Sequence, residues 1–314
     1  MDKKELSLRI KAEAQNLGFF ACGIAKADAV DPDVVASYRK WIACGDHATM
    51  AYLENYPDKR FDPRLLMEGL KSIVSVALNY APASHLPDGE PQFAAYALGK
   101  DYHDVVKNKL RQLAELLGLD NYRAFCDSAP VLERYWAVKA GLGWTGRNHQ
   151  LIIPRAGSMF FLGELFLPVE LDYDEPMTSR CGKCHACVDA CPTHALRMGE
   201  GSEDNEEKGK TCFDARLCLS YQTIENRGEI PSELSEKMGD TIYGCDRCQA
   251  ACPWNRFSQP NTTPELQPSD ELLNMKREDW LALTEEDYRR LFKGSAVKRA
   301  KYSGLMRNIH EALD

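Results

Sequence analysis

Apolar and polar positions alternate on two different periods along the first half of the chain. Leu6, Leu8, Ile10, Ala14 and Leu17 fall on a mostly helical period that Gly18 ends. Phe19–Ala25 then reads as a strand, and Val34–Cys44 as a second helix closed by Gly45. Ile73–Tyr80 is an apolar run of strand length. Asp101–Leu117 carries apolar residues at 105, 106, 110, 113, 116 and 117, an amphipathic helix with Gly118 placed to cap it. Tyr122–Cys126 predicts a strand, and Pro130–Ala140 a helix with proline in its first turn. His149–Pro154 and Met159–Leu167 read as paired strands around an Arg155–Gly157 turn. This alternation through residue 168 predicts an α/β layer domain over residues 1–175.

Beyond residue 175 cysteine spacing takes over from hydrophobic period. Cys181–Pro192 reads CGKCHACVDACP, the bacterial ferredoxin run C-x2-C-x2-C-x3-C-P, whose fourth cysteine ligates the other of two clusters. A zinc knuckle or a stapled loop is the plainer alternative. The rule demands a second C-P downstream, and Cys245, Cys248 and Cys252-Pro253 supply it. Cys181, Cys184, Cys187 and Cys252 then hold one [4Fe–4S] cluster. Cys191, Cys245, Cys248 and either Cys212 or Cys218 hold the other. The remaining cysteines, Cys22, Cys44, Cys126 and the unused one of that pair, read as small buried hydrophobes. Residues 176–257 are thus a ferredoxin-like two-cluster module and 258–314 a helical segment, making the chain α+β overall. Gly199–Gly209 is an acidic insertion between the two cluster motifs.

Composition changes this picture little. The 314 residues are 44% hydrophobic and 27% charged, ordinary for a folded chain of two or more cores. The N-terminus has no signal-peptide core and no apolar run reaches membrane length, so twelve cysteines predict a reducing, cytoplasmic setting and not a disulfide framework. The net charge of −8 does not favour a nucleic-acid partner. Arg289–Arg307, however, holds seven basic residues and no acid; on that stretch alone a solvated helix face is the plainer reading.

Two motifs drop out. Gly141, Gly143 and Gly146 spell G-x-G-x-x-G, but a helix precedes them and a strand follows, the reverse of a dinucleotide-binding unit. The cysteine spacing leaves every cluster iron a thiolate, so the clusters carry electrons to chemistry elsewhere. Either the 1–175 domain holds another redox cofactor, or the chain is an electron-transfer protein serving a separate partner.

RFDP (60–63), LGKDYHDVVKNKL (98–110), CDSAPVLER (126–134), AGLGWTGRN (140–148), RLCLSYQTIE (216–225) and IYGCDRCQAACPWNR (242–256) together resemble epoxyqueuosine reductase over most of residues 5–310. The resemblance implies a cobalamin-dependent, two-cluster enzyme that reduces the epoxide of epoxyqueuosine at the tRNA wobble position to queuosine. It selects Cys218, within Cys218-Leu-Ser-Tyr221, as the second-cluster ligand and leaves Cys212 structural. It carries over Arg60, Asp127, Leu151, Leu162, Ser220, Asp246 and Arg247 as cobalamin contacts, with Asp127 the proton donor; an N-cap role is the alternative for Asp127. Asp101-Tyr-His103 begins like a cobalt-ligating loop, but Val106 stands where glycine is required. Glu133 and Arg134 are expected as a salt-bridged pair beneath the site. Many family members continue into C-terminal helical repeats that help hold tRNA, and this sequence ends at Asp314; Lys293, Lys298, Arg299, Lys301 and Arg307 become the expected phosphate contacts. The expected partners are tRNA and a flavodoxin- or ferredoxin-type electron donor, with no membrane, for a monomer. A cobalamin-dependent enzyme of the reductive dehalogenase kind is the runner-up.

Overall fold

The computed structural model describes residues 2–199 and 211–313. Most of the acidic insertion therefore lies outside the described residues. The first core is a four-stranded sheet built from β1 (Ala21–Lys26), β2 (Ser72–Asn79), β3 (Arg123–Phe125) and β4 (Phe160–Leu167). Their spatial order is β1-β2-β4-β3 and every pairing is antiparallel. Helix–strand alternation gives the layers, but the strands run antiparallel, and β4 inserts between β2 and β3.

Helices cover both faces. α1 (Lys3–Asn16) and α3 (Tyr102–Leu116) bury Ile10, Ala14, Val106, Leu110 and Leu113 against Val74, Val76, Leu165 and Leu167. On the other face α4 (Glu133–Lys139) packs Trp136 and Ala137 over Ile73, Ala77, Leu162 and Phe166. α2 (Pro32–Ala43) precedes β2, and its Val34 and Val35 flank this second core. Side chains along β2 and β4 alternate between the two faces, which is why both strands read as continuous apolar runs. Gly163 lets α3 approach: a Cβ there would meet Val106 Cγ1 at 2.5 Å.

Residues 149–154 do not pair with β4. Leu151–Ile152 pairs instead with Trp144–Thr145, and residues 155–157 form a turn with a single bridge, Ile153 to Gly157. β4 spends both edges on β2 and β3. The glycine motif serves this small hairpin: a Cβ on Gly143 would sit 2.0 Å from the Ile152 carbonyl oxygen.

The linear division at residues 175 and 257 is crossed by a third core. Leu86, Phe93, Ala97 and Leu98 join Ile242, Tyr243, Trp280, Phe292 and Leu305 there. Gln92–Phe93 pairs in parallel with Thr241–Tyr243, and Phe93 contacts the rings of Tyr243, Trp280 and Phe292. The chain closes with α5 (Leu219–Ile224) and α6 (Lys301–Leu313), which meet through Asn308 Nδ2 donating to the Thr223 carbonyl at 2.8 Å. No helix among the described residues is long and apolar enough to cross a membrane.

Candidate active site and cluster module

Two tetrads of thiols form where the two cysteine loops face each other. All twelve cysteines are free thiols. Burial raises the Cys187 thiol to about 11, and the next influences on it are Cys252, Cys181 and, further down, Cys184. Burial likewise raises Cys218 to about 11, and Cys245 and Cys191 are the cysteines that act on it. Cys248 rises through burial and then through Cys245 and Cys218, with Cys187 of the other tetrad also in reach. The tetrads are therefore adjacent. Among the described residues no trio of His, Cys, Asp or Glu is close enough to hold a single metal ion. Trp144, Ile152 and Trp254 wall Cys181 and Cys252 with apolar surface.

Among the other four cysteines only Cys126 is the buried hydrophobe expected, and Cys22 is half-buried against the first core. Burial pushes Cys22 up to about 12, and Cys126 is fully buried. Cys44 and Cys212 are exposed. Cys212 lies in a two-stranded ribbon opposite Arg197.

Asp127 stands at the end of β3 on a loop before α4. Its φ is 48°, in the left-handed region. The Tyr102 hydroxyl donates to Asp127 Oδ2 at 2.5 Å, and His103 Nε2 lies 3.8 Å from the same oxygen. His103 Nδ1 is 2.6 Å from Asp101 Oδ1, a contact that raises the imidazole and lowers the carboxyl. Asp101 also caps α3 by accepting the His103 backbone N–H. Protein side chains leave the Asp127 carboxyl 65% exposed, open to a bound ligand. It makes no cap bond to α4; its own backbone N–H instead donates to Glu133 Oε1. Glu133 is not paired with Arg134, whose Nη1 donates to the His149 carbonyl at 2.8 Å.

Tyrosines extend this rim in both directions. Tyr96, half-buried, packs edge-on against Tyr102 with ring centroids 6.1 Å apart, and its neighbour Ala95 bonds the second cysteine loop. Asp246 Oδ2 accepts the Ala95 N–H at 2.6 Å, and Arg247 is spent on the carbonyls of Lys237 and Met238. Both line a cavity of about 630 Å³ with Ala81, His85 and Met159. On the other side Tyr52 feels Asp127 and Arg299. Arg60 is buried under Tyr38 and donates to the Tyr52 and Asn55 carbonyls, while its Nε is buried without a protein acceptor. Leu151 and Leu162 lie together in the core beneath α4, and Ser220 is half-buried in α5. The cavity beside Asp246 does not include Asp127, Arg60 or Ser220.

The basic C-terminal stretch splits in two. Lys293, Lys298 and Lys301 are exposed, and the last two border a hollow of about 320 Å³ with Tyr288 and Tyr302. Arg299 pairs with both oxygens of Glu225 at 2.8 and 2.9 Å. Arg307 donates to the carbonyls of Asn226, Gly228 and Gln222. Its expected phosphate role is replaced by a structural one, because all its reach is used inside the fold.

Comparison with known proteins agrees over the whole chain. A family model described as epoxyqueuosine reductase QueG, DUF1730, matches residues 60–128, and one described as a 4Fe-4S double cluster binding domain matches residues 180–255. The chain is 44% identical over 311 residues to an epoxyqueuosine reductase of Cellulophaga algicola, covering 98% of each. The chain belongs to the epoxyqueuosine reductase family. It is thus an oxidoreductase. The family's member in Escherichia coli K12 is 39% identical, aligned over 100% of this chain and 82% of its own. A crystal structure of an epoxyqueuosine reductase with an epoxyqueuosine-modified tRNA-Tyr stem loop superposes with a TM-score of 0.83 at 27% identity, covering 98% of this chain and 81% of that one. A reductase from Bacillus subtilis with its catalytic aspartate loop swung out of the active site superposes at 0.84 and 27% identity, with the same coverage.

Sequence reasoning weighs Asp101-Tyr-His103 only as an incomplete cobalt-ligating loop and passes over the hold of Tyr102 on Asp127 and the tyrosine rim. The Asp101-Tyr-His103 tripeptide ahead of an amphipathic helix is the one signal that pointed there.

Proposed function

We propose that this chain reduces the epoxide of epoxyqueuosine at the tRNA wobble position to queuosine, with Asp127 as the acid. The observation that carries this is the Asp127 carboxyl, exposed on a loop and held by the Tyr102 hydroxyl, whose ring packs on Tyr96 next to the bond from Ala95 to the second cysteine loop. In the net reaction both carbon–oxygen bonds of the epoxide break, a carbon–carbon double bond forms and the oxygen leaves as water. Two electrons and two protons are taken up. Opening the ring places charge on the leaving oxygen, and a positioned acid lowers that barrier.

The residues present fit the cofactors that the family implies. Cys181, Cys184, Cys187 and Cys252 would hold one [4Fe–4S] cluster; Cys191, Cys218, Cys245 and Cys248 would hold the other. Arg60, with its unpartnered Nε, and Leu151, Leu162, Ser220, Asp246 and Arg247 would border cobalamin, which when bound supplies a low-valent, strongly nucleophilic metal. Tyr102 fixes the Asp127 carboxyl by its hydroxyl, and Asp101 orients His103 behind it. Lys293, Lys298 and Lys301 would meet tRNA phosphates. An external flavodoxin- or ferredoxin-type protein would supply the electrons in the cytoplasm.

The test is incubation of cluster-reconstituted protein, cobalamin and a reductant with epoxyqueuosine-containing tRNA, followed by nucleoside analysis. Queuosine is the expected product; its absence under reducing conditions overturns the assignment.

A further inference from the structure

Glu133 and Glu164 stand behind Asp127, and the reaction proposed above leaves them without a task. Glu164 lies in β4 opposite Ser75 of β2 and Phe125 of β3. It shares its sheet face with Leu162 and Phe166, the face that α4 covers. It is fully buried, and neither carboxyl oxygen makes a hydrogen bond of regular geometry. Glu133 and Ser75 are the polar side chains beside it. Glu133, in the first turn of α4, takes the Asp127 backbone N–H on Oε1.

That bond falls where the backbone needs it. Asp127 is a non-glycine residue at a φ of 48°, a conformation that persists only when the surroundings hold it. No capping bond from its side chain contributes, since Oδ2 is turned to Tyr102. The Glu133 acceptor holds the backbone, and the Tyr102 hydroxyl holds the side chain.

We propose that Glu133, backed by Glu164, is a positioning residue whose Oε1 clamps the Asp127 backbone and so fixes where the proton donor stands. The role of donor rests on the reductase reading; the clamp does not. Two adjacent carboxyls in an apolar setting cannot both ionise. Burial and then Asp127 push Glu133 up to about 8, and burial and then Glu133 hold Glu164 well above the usual carboxyl range. The other groups facing the pair are Arg134 on α4, which opposes the rise, and Cys126 at the end of β3, itself reached by Lys107 of α3. At neutral pH the pair therefore holds at least one proton, and Glu133 Oε1 accepts the Asp127 N–H. An amide offers the same acceptor, so Gln should replace it and Ala should not.

The experiment compares Glu133→Ala, Glu133→Gln and wild type by backbone hydrogen exchange at residues 127–129 in the full-length protein, and by kcat and KM with epoxyqueuosine tRNA. Glu133→Ala should exchange faster and lose kcat by about tenfold, the scale of one missing buried hydrogen bond, at unchanged KM. Glu133→Gln should stay within about threefold of wild type on both readouts. Infrared spectra at neutral pH should show a buried carboxylic-acid carbonyl that Glu164→Gln diminishes. Unchanged exchange in Glu133→Ala, equal damage in Glu133→Gln, or no acid carbonyl in wild type would each overturn the proposal. Failure of wild type to form queuosine strikes the reductase reading alone, because the exchange and infrared arms need no turnover.

Discussion

Replacing Asp127 by Asn keeps an acceptor for the Tyr102 hydroxyl and removes the transferable proton. Turnover should fall by about 10²–10⁴-fold, the usual worth of a general acid, with iron content and cobalamin absorbance retained. Full activity in that variant would reduce Asp127 to a loop residue. The acid pair behind it makes a separate claim about stability. Glu133 and Glu164 bind protons more tightly folded than unfolded, with Glu133 at about 8 against 4.5. Their contribution is thus fully present in acid and is lost as pH rises from the unfolded value through the folded one. Glu164→Gln should flatten the decline of Tm between about pH 5 and 8 relative to wild type; parallel Tm curves would contradict it. His149 runs the other way, since burial lowers it to about 4 and its contribution is lost as pH falls, but it is common to both proteins and cancels in the difference. Cysteine spacing and the CDSAP loop are local and can be read from the chain. The acid pair cannot, because Glu133 and Glu164 meet only through sheet register. Adjacent helical positions such as 133 and 134 do not face each other, which explains why the expected pair with Arg134 does not form.

At the scale of elements, Gly163 sets the distance between sheet and helix. Gly163→Ala pushes a methyl into Val106 and Leu110 and should cost about 1–3 kcal/mol in a denaturant melt, as overpacking does. Val106→Ala should recover part of that cost in the double variant, and additive losses would exclude the clash as the cause. Cysteine substitutions separate the two candidates between the cluster motifs. Cys218→Ser should lose iron and the spectrum of one cluster, whereas Cys212→Ser should keep both. Loss of a cluster from Cys212→Ser alone would reverse the assignment. The long strands and helices were legible because each buries a whole face with its own period. The pairing of residues 149–154 was not, because short apolar runs do not encode their partner. The Trp144–Thr145 strand that takes the place of β4 is two residues long and carries no alternation to read.

Across the whole molecule the basic stretch is two things at once. Glu substitution at Lys293, Lys298 and Lys301 should weaken tRNA binding and reduce the salt slope by about one for each phosphate no longer engaged. An unchanged slope would mean that these lysines are merely solvated. Arg307→Ala should instead lower Tm, because three backbone carbonyls are left without their donor. The core that joins residues 86–98 to 242–309 has a further consequence during synthesis. Phe93 leaves the ribosome long before Tyr243, its strand neighbour, and Ala95 long before Asp246, which accepts its N–H. The N-terminal sheet and its covering helices can close once β4 has emerged, yet the aromatic segment 86–98 stays uncovered until nearly the entire chain has followed. Such long-range closure is slow and leaves nascent chains prone to aggregate. Metal delivery to the thiols and completion of the fold therefore fall in the same late interval, and yield in a host cell should depend on how fast iron–sulfur assembly keeps pace with translation.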